Sequence, residues 1–577
     1  MAGFKKFAFA VAASVLWISL SCAAAERVSL DGLWGFAFEE KATLASARAD
    51  FKSTATMVVP GCFDLMPGWY ARRGLAHYRR VFSFAEPAKC AWLVVKGMGL
   101  QARFFLDGRE IAESKLPYST LEIPLGALAA GDHVIVAALD NNLDGSRELV
   151  FKPNYDFFLS GGFYHGVELS FDNRRLFVRT RDYRNGTVEV EAVNFAERDF
   201  GATLVFDGRN EVPAEFRNGR ATVKVPGFRT WSPESPNLHT VSIKLAATGD
   251  YQLTTRFGIR EFAAHDNALW LNGEKVWLKG VNRHEAHPEE GCATSMQTML
   301  RDVELVKSLG CNFVRGSHYP QREEFLDLCD ERGLLVWEES LGWGNKDDLG
   351  DPGFMASQVE QTRMMVRSSI NHPSVVVSAF LNEFRSDRRE GLVLAEKLIE
   401  TIRSEDSGHL VSFAANGSHG DICSSNVDFI TFNYYPAWHS DMGRGTTPES
   451  LDAAIREGLD NSVRRLRNAY GGDKPIVIGE TGCYSLYGCH DPMGAQWSEE
   501  FQSEYLDCWL KAVKASPDIS GFAVWQFCDT RTFFRGGGDI RTKPMGYNMA
   551  GLFDAHRREK LAASTVRRHY KMECMKK

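Results

Sequence analysis

The sequence predicts β-sandwich domains followed by a (β/α)8 barrel. Three observations lead there: a length of 577 residues, too great for one core, a change of rhythm near residue 265, and a count of eight strand–helix units beyond it. From about residue 26 to 262, short β-rich runs such as Trp92–Val95, His133–Leu139, Thr187–Val193 and Thr240–Leu245 alternate with Gly, Asp, Asn and Pro turns. That is the pattern of stacked antiparallel sheets. A boundary near Asn173–Arg175 divides the stretch into sandwiches at 26–173 and 174–262.

Residues 263–577 alternate apolar strands with amphipathic helices. Strands are expected at Val276–Val281, Cys311–Val314, Leu334–Trp337, Val375–Phe380, Leu410–Phe413, Phe429–Phe432, Ile476–Ile478 and Phe522–Trp525. Helical periodicity marks Thr298–Leu309, Ser357–Ile370, Leu392–Ser404, Ser450–Tyr470 and Glu499–Ala515. An open, doubly wound sheet is the rival arrangement. No Gly-rich phosphate loop follows the first strand, so the closed barrel is preferred.

Residues 1–25 stand apart. Lys5 and Lys6 precede an apolar run from Phe7 to Leu20, and Ala23-Ala24-Ala25 follow, the layout of a signal peptide cut near Ala25–Glu26. The run is too short to favour a membrane span, and no later segment reads as one. A secreted or periplasmic protein is expected. Net charge is −7 without a basic cluster, which argues against nucleic acid as a partner. The 12 Cys are scattered without metal-ligand spacing and read mostly as buried small hydrophobes. Cys483 and Cys489 are left open as a disulfide or two thiols, and a homo-oligomer is left open too.

In such barrels chemistry gathers at the C-terminal ends of the strands. Strand 1 ends in Asn282-Arg283-His284-Glu285 and strand 2 in Arg315-Gly316-Ser317-His318-Tyr319. Strand 3 ends in Glu338-Glu339, strand 4 in Asn382-Glu383, strand 6 in Asn433-Tyr434-Tyr435, strand 7 in Glu480-Thr481 and strand 8 in Trp525-Gln526. Glu383 and Glu480 sit across the barrel mouth, where two carboxyl groups can converge on one sugar. Glycoside hydrolysis needs such a pair, one to protonate the leaving oxygen and one to attack the anomeric carbon. Asn382 is placed to bond a sugar hydroxyl, and Tyr435 to donate to the nucleophile. His284 and His318 line the pocket or orient Glu383, and Trp525 offers a stacking floor. Glu338 and Glu339 are read as structural.

These residues carry a resemblance. Gly280-Val281-Asn282-Arg283-His284-Glu285, Ser317-His318-Tyr319-Pro320, Asn371-His372-Pro373-Ser374-Val375 with Asn382-Glu383, and Ile478-Gly479-Glu480 resemble glycoside hydrolase family 2 in order and spacing. The resemblance covers nearly the whole chain beyond the leader. It implies a jelly-roll sandwich at 26–173, an immunoglobulin-like sandwich at 174–262 and a catalytic TIM barrel at 263–577. It further implies a retaining mechanism, with Glu383 as acid/base and Glu480 as nucleophile. No cofactor is expected, and no metal either, because Glu338-Glu339-Ser340-Leu341-Gly342-Trp343-Gly344 stands where the magnesium-dependent galactosidases of the family carry a Glu-x-His pair. Within the family the likeness is to β-glucuronidases: Asp156-Phe157-Phe158 is similar to their segment that reaches the active site, and Tyr435 to the tyrosine touching the nucleophile.

One motif departs. Where those enzymes read the substrate carboxylate with Asn-x-Lys, this chain has Asn548-Met549-Ala550. Asn548 is kept as a substrate-binding residue, and Arg541 and Lys543 are candidates for the missing cation, as are Arg531 and Arg535. The expected activity is removal of a terminal β-linked sugar, first a β-D-glucuronide. A neutral sugar such as galactose, and an inactive carbohydrate-binding protein, are the alternatives.

Overall fold

The computed structural model describes residues 16–18, 27–143, 146–153, 155–245, 251–417, 420–436, 448–532 and 543–571. The chain forms two compact units. The first comprises Met1–Asp144, Leu159–Asn173 and Glu289–Ala293; the second comprises Gly145–Phe158, Arg174–Pro288 and Thr294–Lys577.

Two large sheets and a short two-stranded one, Gly61–Cys62 with Gly162–Phe163, build the first unit. In the larger, Ala55–Val59, Gly32–Glu40, Gly74–Phe84, Gly131–Asp140, Gln101–Leu106 and Arg109–Ser114 pair in that order, with Leu16–Ile18 alongside Gly74–Phe84. In the smaller the order is Leu121–Leu128, Ala88–Val95, Val167–Ser170 and Arg27–Ser29. Alternate inward residues, among them Trp34, Phe36, Tyr78, Phe82, Leu93, Phe104 and Ile135, form one buried core.

The second unit opens with a smaller sandwich. Arg175–Asp182, Thr187–Val193 and Arg220–Lys224 form one sheet, and Asn210–Phe216, Phe200–Phe206, His239–Leu245 and Tyr251–Phe257 the other. The barrel follows. Its strands are β1 (Leu278–Arg283), β2 (Phe313–Gly316), β3 (Leu335–Trp343), β4 (Val375–Asn382), β5 in two pieces (Leu410–Ser412 and Ala414–Asn416), β6 (Ile430–Asn433), β7 (Ile476–Thr481) and β8 (Ile519–Val524). Its helices are α1 (Met296–Ser308), α2 (Glu323–Arg332), α3 (Pro352–Ser369), α4 (Arg389–Ser404), α5 (Pro448–Tyr470), α6 (Glu499–Ala515) and α7 (Leu561–Lys571). Every strand pairing is parallel, and the ring closes through β5, interrupted only at Phe413.

Residues alternate along each strand between the barrel interior and the helical jacket. On β7, Ile476 and Ile478 pack outward on helices while Val477 joins Leu278, Phe313, Trp337 and Ala523 within. The matching helix face is legible in α4, where Leu394, Ala395, Leu398, Ile399 and Ile402 are buried at three- and four-residue spacing. Two expectations need correction. α3 starts five residues before the expected Ser357, because Asp351 caps Pro352 and accepts from the N–H of Gly353 and Phe354, both at 2.9 Å. The fifth strand is followed not by a full helix but by a short 3-10 turn, Ser424–Asn426, since the intervening Gly417, Gly420 and Asp421 favour turns.

A buried ion triad ties α1 to the chain ahead of α7. Asp302, fully buried, accepts from Arg283 Nε at 3.0 Å and from Arg557 Nε at 2.9 Å. Asp302→Ala would leave two buried guanidinium groups without the carboxylate they share. A loss of about 3–5 kcal/mol is expected, seen as a lowered melting temperature. An unchanged melting temperature would show that the triad adds nothing.

Candidate active site

Strand register assembles the site before any side chain is considered. Asn282 of β1 pairs with Arg315 of β2, Trp343 of β3 with Asn382 of β4, Asn416 of β5 with Asn433 of β6, and Asn433 with Glu480 of β7. The C-terminal rim is therefore a ring of amides and charges over an apolar barrel floor. A cavity at this rim is lined by Asp156, Phe157, His284, His318, Trp343, Glu383, Asn416, Tyr435, Glu480 and Trp525. All of them belong to the second compact unit.

Arg315, 1% exposed, organises the floor. Its Nη1 donates to Glu480 Oε1 at 2.5 Å and Asn282 Oδ1 at 2.8 Å, and its Nη2 to Asn382 Oδ1 at 2.9 Å. Its Nε and Nη2 grip Glu339 at 3.2 and 2.9 Å. Burial alone would push the Glu339 carboxyl up, but the charges of Arg315 and His318 outweigh it and hold it below its usual range. Glu480 Oε2 accepts from the Tyr435 hydroxyl at 2.7 Å. That phenol is pushed well up by burial and by the Glu480 charge, so it stays a donor.

Glu383 lives in a different field. It lies beyond the described contacts of Arg315, and its partners are neutral amides, Asn433 Nδ2 at 2.8 Å to Oε1 and Asn416 Nδ2 at 3.3 Å to Oε2. Burial first, and the neighbouring Glu480 charge second, raise its pKa from 4.5 to about 8. Its backbone is held in the left-handed region at φ 52°, with its N–H on the Ala414 carbonyl at 2.9 Å. The two carboxyl groups thus share one cavity while facing opposite electrostatics.

The remaining residues divide. His284 and His318 line the cavity, and burial followed by the charge of neighbouring cations keeps His284 well below its usual value. His318 bonds Glu339 at 2.6 Å and stacks on Trp525 with ring centroids 5.4 Å apart. The expectation that the histidines orient Glu383 is corrected: Asn433 and Asn416 do so. Trp525 does line the cavity, and Gly482 lets it approach, since a Cβ there would lie 1.9 Å from the Trp525 carbonyl oxygen.

Asn382 and Asn548 were expected on the sugar, yet neither is among the lining residues. Asn382 gives its oxygen to Arg315 and Asn433, and only its Nδ2 lacks a partner among the described residues. Asn548 donates instead to Asp156 Oδ2 at 3.2 Å. Asp156 faces the cavity and also accepts from Thr532 Oγ1 at 3.0 Å and from the Lys543 ammonium. Of the candidate cations, Lys543 is not itself a lining residue but touches the site through Asp156, Arg531 stacks on Phe158 at 3.9 Å, and Arg535 and Arg541 lie outside the described residues.

Cys483 and Cys489 are both free thiols. One group of metal-ligand type occurs among the described residues, Asp327, Asp330 and His372. It sits away from the strand ends that form the site, before β4, and burial is overridden there by Asp330, which raises His372 to about 9. The imidazolium supplies the positive charge that a metal would.

Sequence reasoning passed over Arg315, Asn433, Asn416, Trp343 and Thr532. Arg315 and Asn433 had a signal, being strand-end polar groups. Asn416 lies three residues past the expected end of β5 and had none.

Fold and site together define a glycoside hydrolase. The family model described as Glycosyl hydrolases family 2, TIM barrel domain, matches residues 262–574, and the model Glycosyl hydrolases family 2 matches 168–260. The chain belongs to this family. It is 26% identical to a β-glucuronidase of Chlorocebus aethiops over 94% of this chain and 91% of the relative. It is 29% identical to a β-galacturonidase of Eisenbergiella tayi solved with galacturonate, with a TM-score of 0.82 over 95% and 97% of the two chains. A β-glucuronidase of Bifidobacterium dentium, 21% identical, shares the fold at a TM-score of 0.85 over 96% and 98%.

The raised pKa of Glu383 has a stability signature. The native state keeps this proton between about pH 4.5 and about 8, where the unfolded chain has lost it. Stability from this group is full below 4.5 and is lost as pH rises through 8. Glu383→Gln cannot ionise, so its melting temperature should climb relative to wild type across that window. Parallel curves would contradict the assigned environment.

Proposed function

We propose that this glycosidase removes a terminal β-D-glucuronic acid with retention of configuration. The observation that carries the chemistry is the electrostatic contrast between two carboxyl groups in one cavity. Glu383, protonated up to about pH 8, is the acid/base, and Glu480, facing the guanidinium of Arg315 and the hydroxyl of Tyr435, is the nucleophile.

In the first step a Glu480 oxygen bonds to the anomeric carbon while the bond to the leaving oxygen breaks and takes the Glu383 proton. In the second, Glu383 removes a proton from water, whose oxygen displaces Glu480 from the anomeric carbon. Two inversions restore the β configuration.

The relatives named β-glucuronidase support glucuronide as the sugar. A second reading, β-D-galacturonide, is favoured by Ala550 at the place of the motif lysine and by the 29% identical β-galacturonidase. Both are uronides. Export is part of the proposal, and a mature N-terminus at Glu26 is expected on the secreted protein; an intact Met1 would refute it.

Nitrophenyl β-D-glucuronide, galacturonide, galactoside and mannoside test the assignment. Wild type should turn over a uronide first and release the β-anomer, followed by proton NMR. Glu480→Gln should lower turnover by about 10⁴-fold or more. Equal turnover in variant and wild type would end the catalytic reading, and activity confined to neutral sugars would end the uronide reading.

A further inference from the structure

We infer that Lys543, braced by Asp156, selects a carboxylate over a neutral hydroxymethyl group on the sugar ring. The inference rests on the uronide reading and goes past it by assigning the residue that makes the distinction.

The cavity wall is rich in acid: Asp156, Glu383 and Glu480 all line it. A substrate carboxylate entering such a space meets repulsion and loses its water unless a cation receives it. Arg315 is not that cation. Its five N–H groups are engaged by Glu339, Glu480, Asn282 and Asn382, and it is 1% exposed. Position 550 offers none either, being a fully buried alanine.

Lys543 differs from both. Its side chain is 9% exposed, and its ammonium holds the carboxylate of Asp156, which faces the cavity. An ammonium has three N–H donors. Among the described residues one is taken by Asp156 Oδ2, and the Tyr484 ring lies 5.4 Å from the nitrogen. Donor capacity is left for a second oxygen beside Asp156. Asp156 in turn does not depend on Lys543 alone, because Thr532 at 3.0 Å and Asn548 at 3.2 Å also donate to it. The lysine can therefore bridge Asp156 and a substrate carboxylate without leaving Asp156 bare.

A merely structural ion pair predicts something else. Breaking it would loosen the wall and slow charged and neutral sugars in the same proportion. A carboxylate reader changes their ratio. The comparison is kcat/KM for nitrophenyl β-D-glucuronide against β-D-glucoside, and for β-D-galacturonide against β-D-galactoside, each pair differing only in the group at C6.

For Lys543→Met the uronide-to-neutral ratio should fall by about 100-fold or more, the scale of losing one partner of a buried charge pair. Lys543→Arg, which keeps the charge, should regain much of it. Should the Met variant fail to melt cooperatively, Lys543→Gln keeps a donor for Asp156 without the charge and carries the same comparison. Where neutral turnover is too slow to follow, inhibition by free glucuronate relative to glucose replaces it in the same variants. A wild-type uronidase whose ratio does not move in Met or Gln variants overturns the role of Lys543 alone. A wild type that cleaves only neutral sugars overturns the uronide reading, and this inference with it.

Discussion

One buried guanidinium constrains the catalytic end of this molecule. Arg315 at the end of β2 reaches groups on or just beyond β1, β3, β4 and β7, and a planar fork of donors allows little latitude in where those groups stand. A cation so deeply placed needs anions, and it has two, Glu339 and Glu480. Glu339 answers for the cost of burial. Glu480 is thereby pinned in orientation while keeping a face on the cavity. Glu383 stands outside the fork and receives only amide N–H groups, so burial and the Glu480 charge outweigh what Asn433 and the more distant Arg315 offset. The division of labour between two chemically identical side chains is thus a matter of which one the arginine reaches.

The same economy appears on the opposite wall. Asp156 and Lys543 are separated by 387 positions in the chain, yet each is the other's ion partner. Asn548 and Thr532 complete that cluster from the loops beyond β8. Lys560, fully enclosed, bonds the carbonyls of Ser485 and Met549 and the carboxylate of Asp529, so the loops after β7 and β8 share one anchor. Positions 549 and 485 cannot drift independently.

What could be read from the chain follows the range of the interaction. Strands with alternating or continuous apolar character and helices with a buried stripe are local patterns, and the five helices marked by periodicity correspond to α1, α3, α4, α5 and α6, whereas α2 and α7 were not marked. Glu383, Glu480, Tyr435, His284, His318 and Trp525 were legible because the end of an apolar strand is itself a local signal. Their partners were not. Asn416 becomes a neighbour of Glu383 only through the lateral register of β5 on β6, and Lys543 meets Asp156 only through the tertiary fold. The amides of Asn382 and Asn548 sat at the expected places but turned to protein partners, a choice decided by which acceptors the fold brings close. Cys483 and Cys489, near in sequence, are both free thiols, one buried and the other half-exposed.

The segment 145–158 has a consequence for how the protein is divided. It precedes the small sandwich in the chain, yet it belongs to the compact unit that holds the barrel. A barrel expressed alone from residue 262 would keep both carboxyl groups and lose Asp156 and Phe157. The Lys543 ammonium would then have no described anion beside it, and one wall of the sugar site would be missing. Modularity in sequence does not extend to the active centre: trimming to the barrel, or shuffling the amino-terminal half between homologues, would remove or exchange part of the cavity wall along with it.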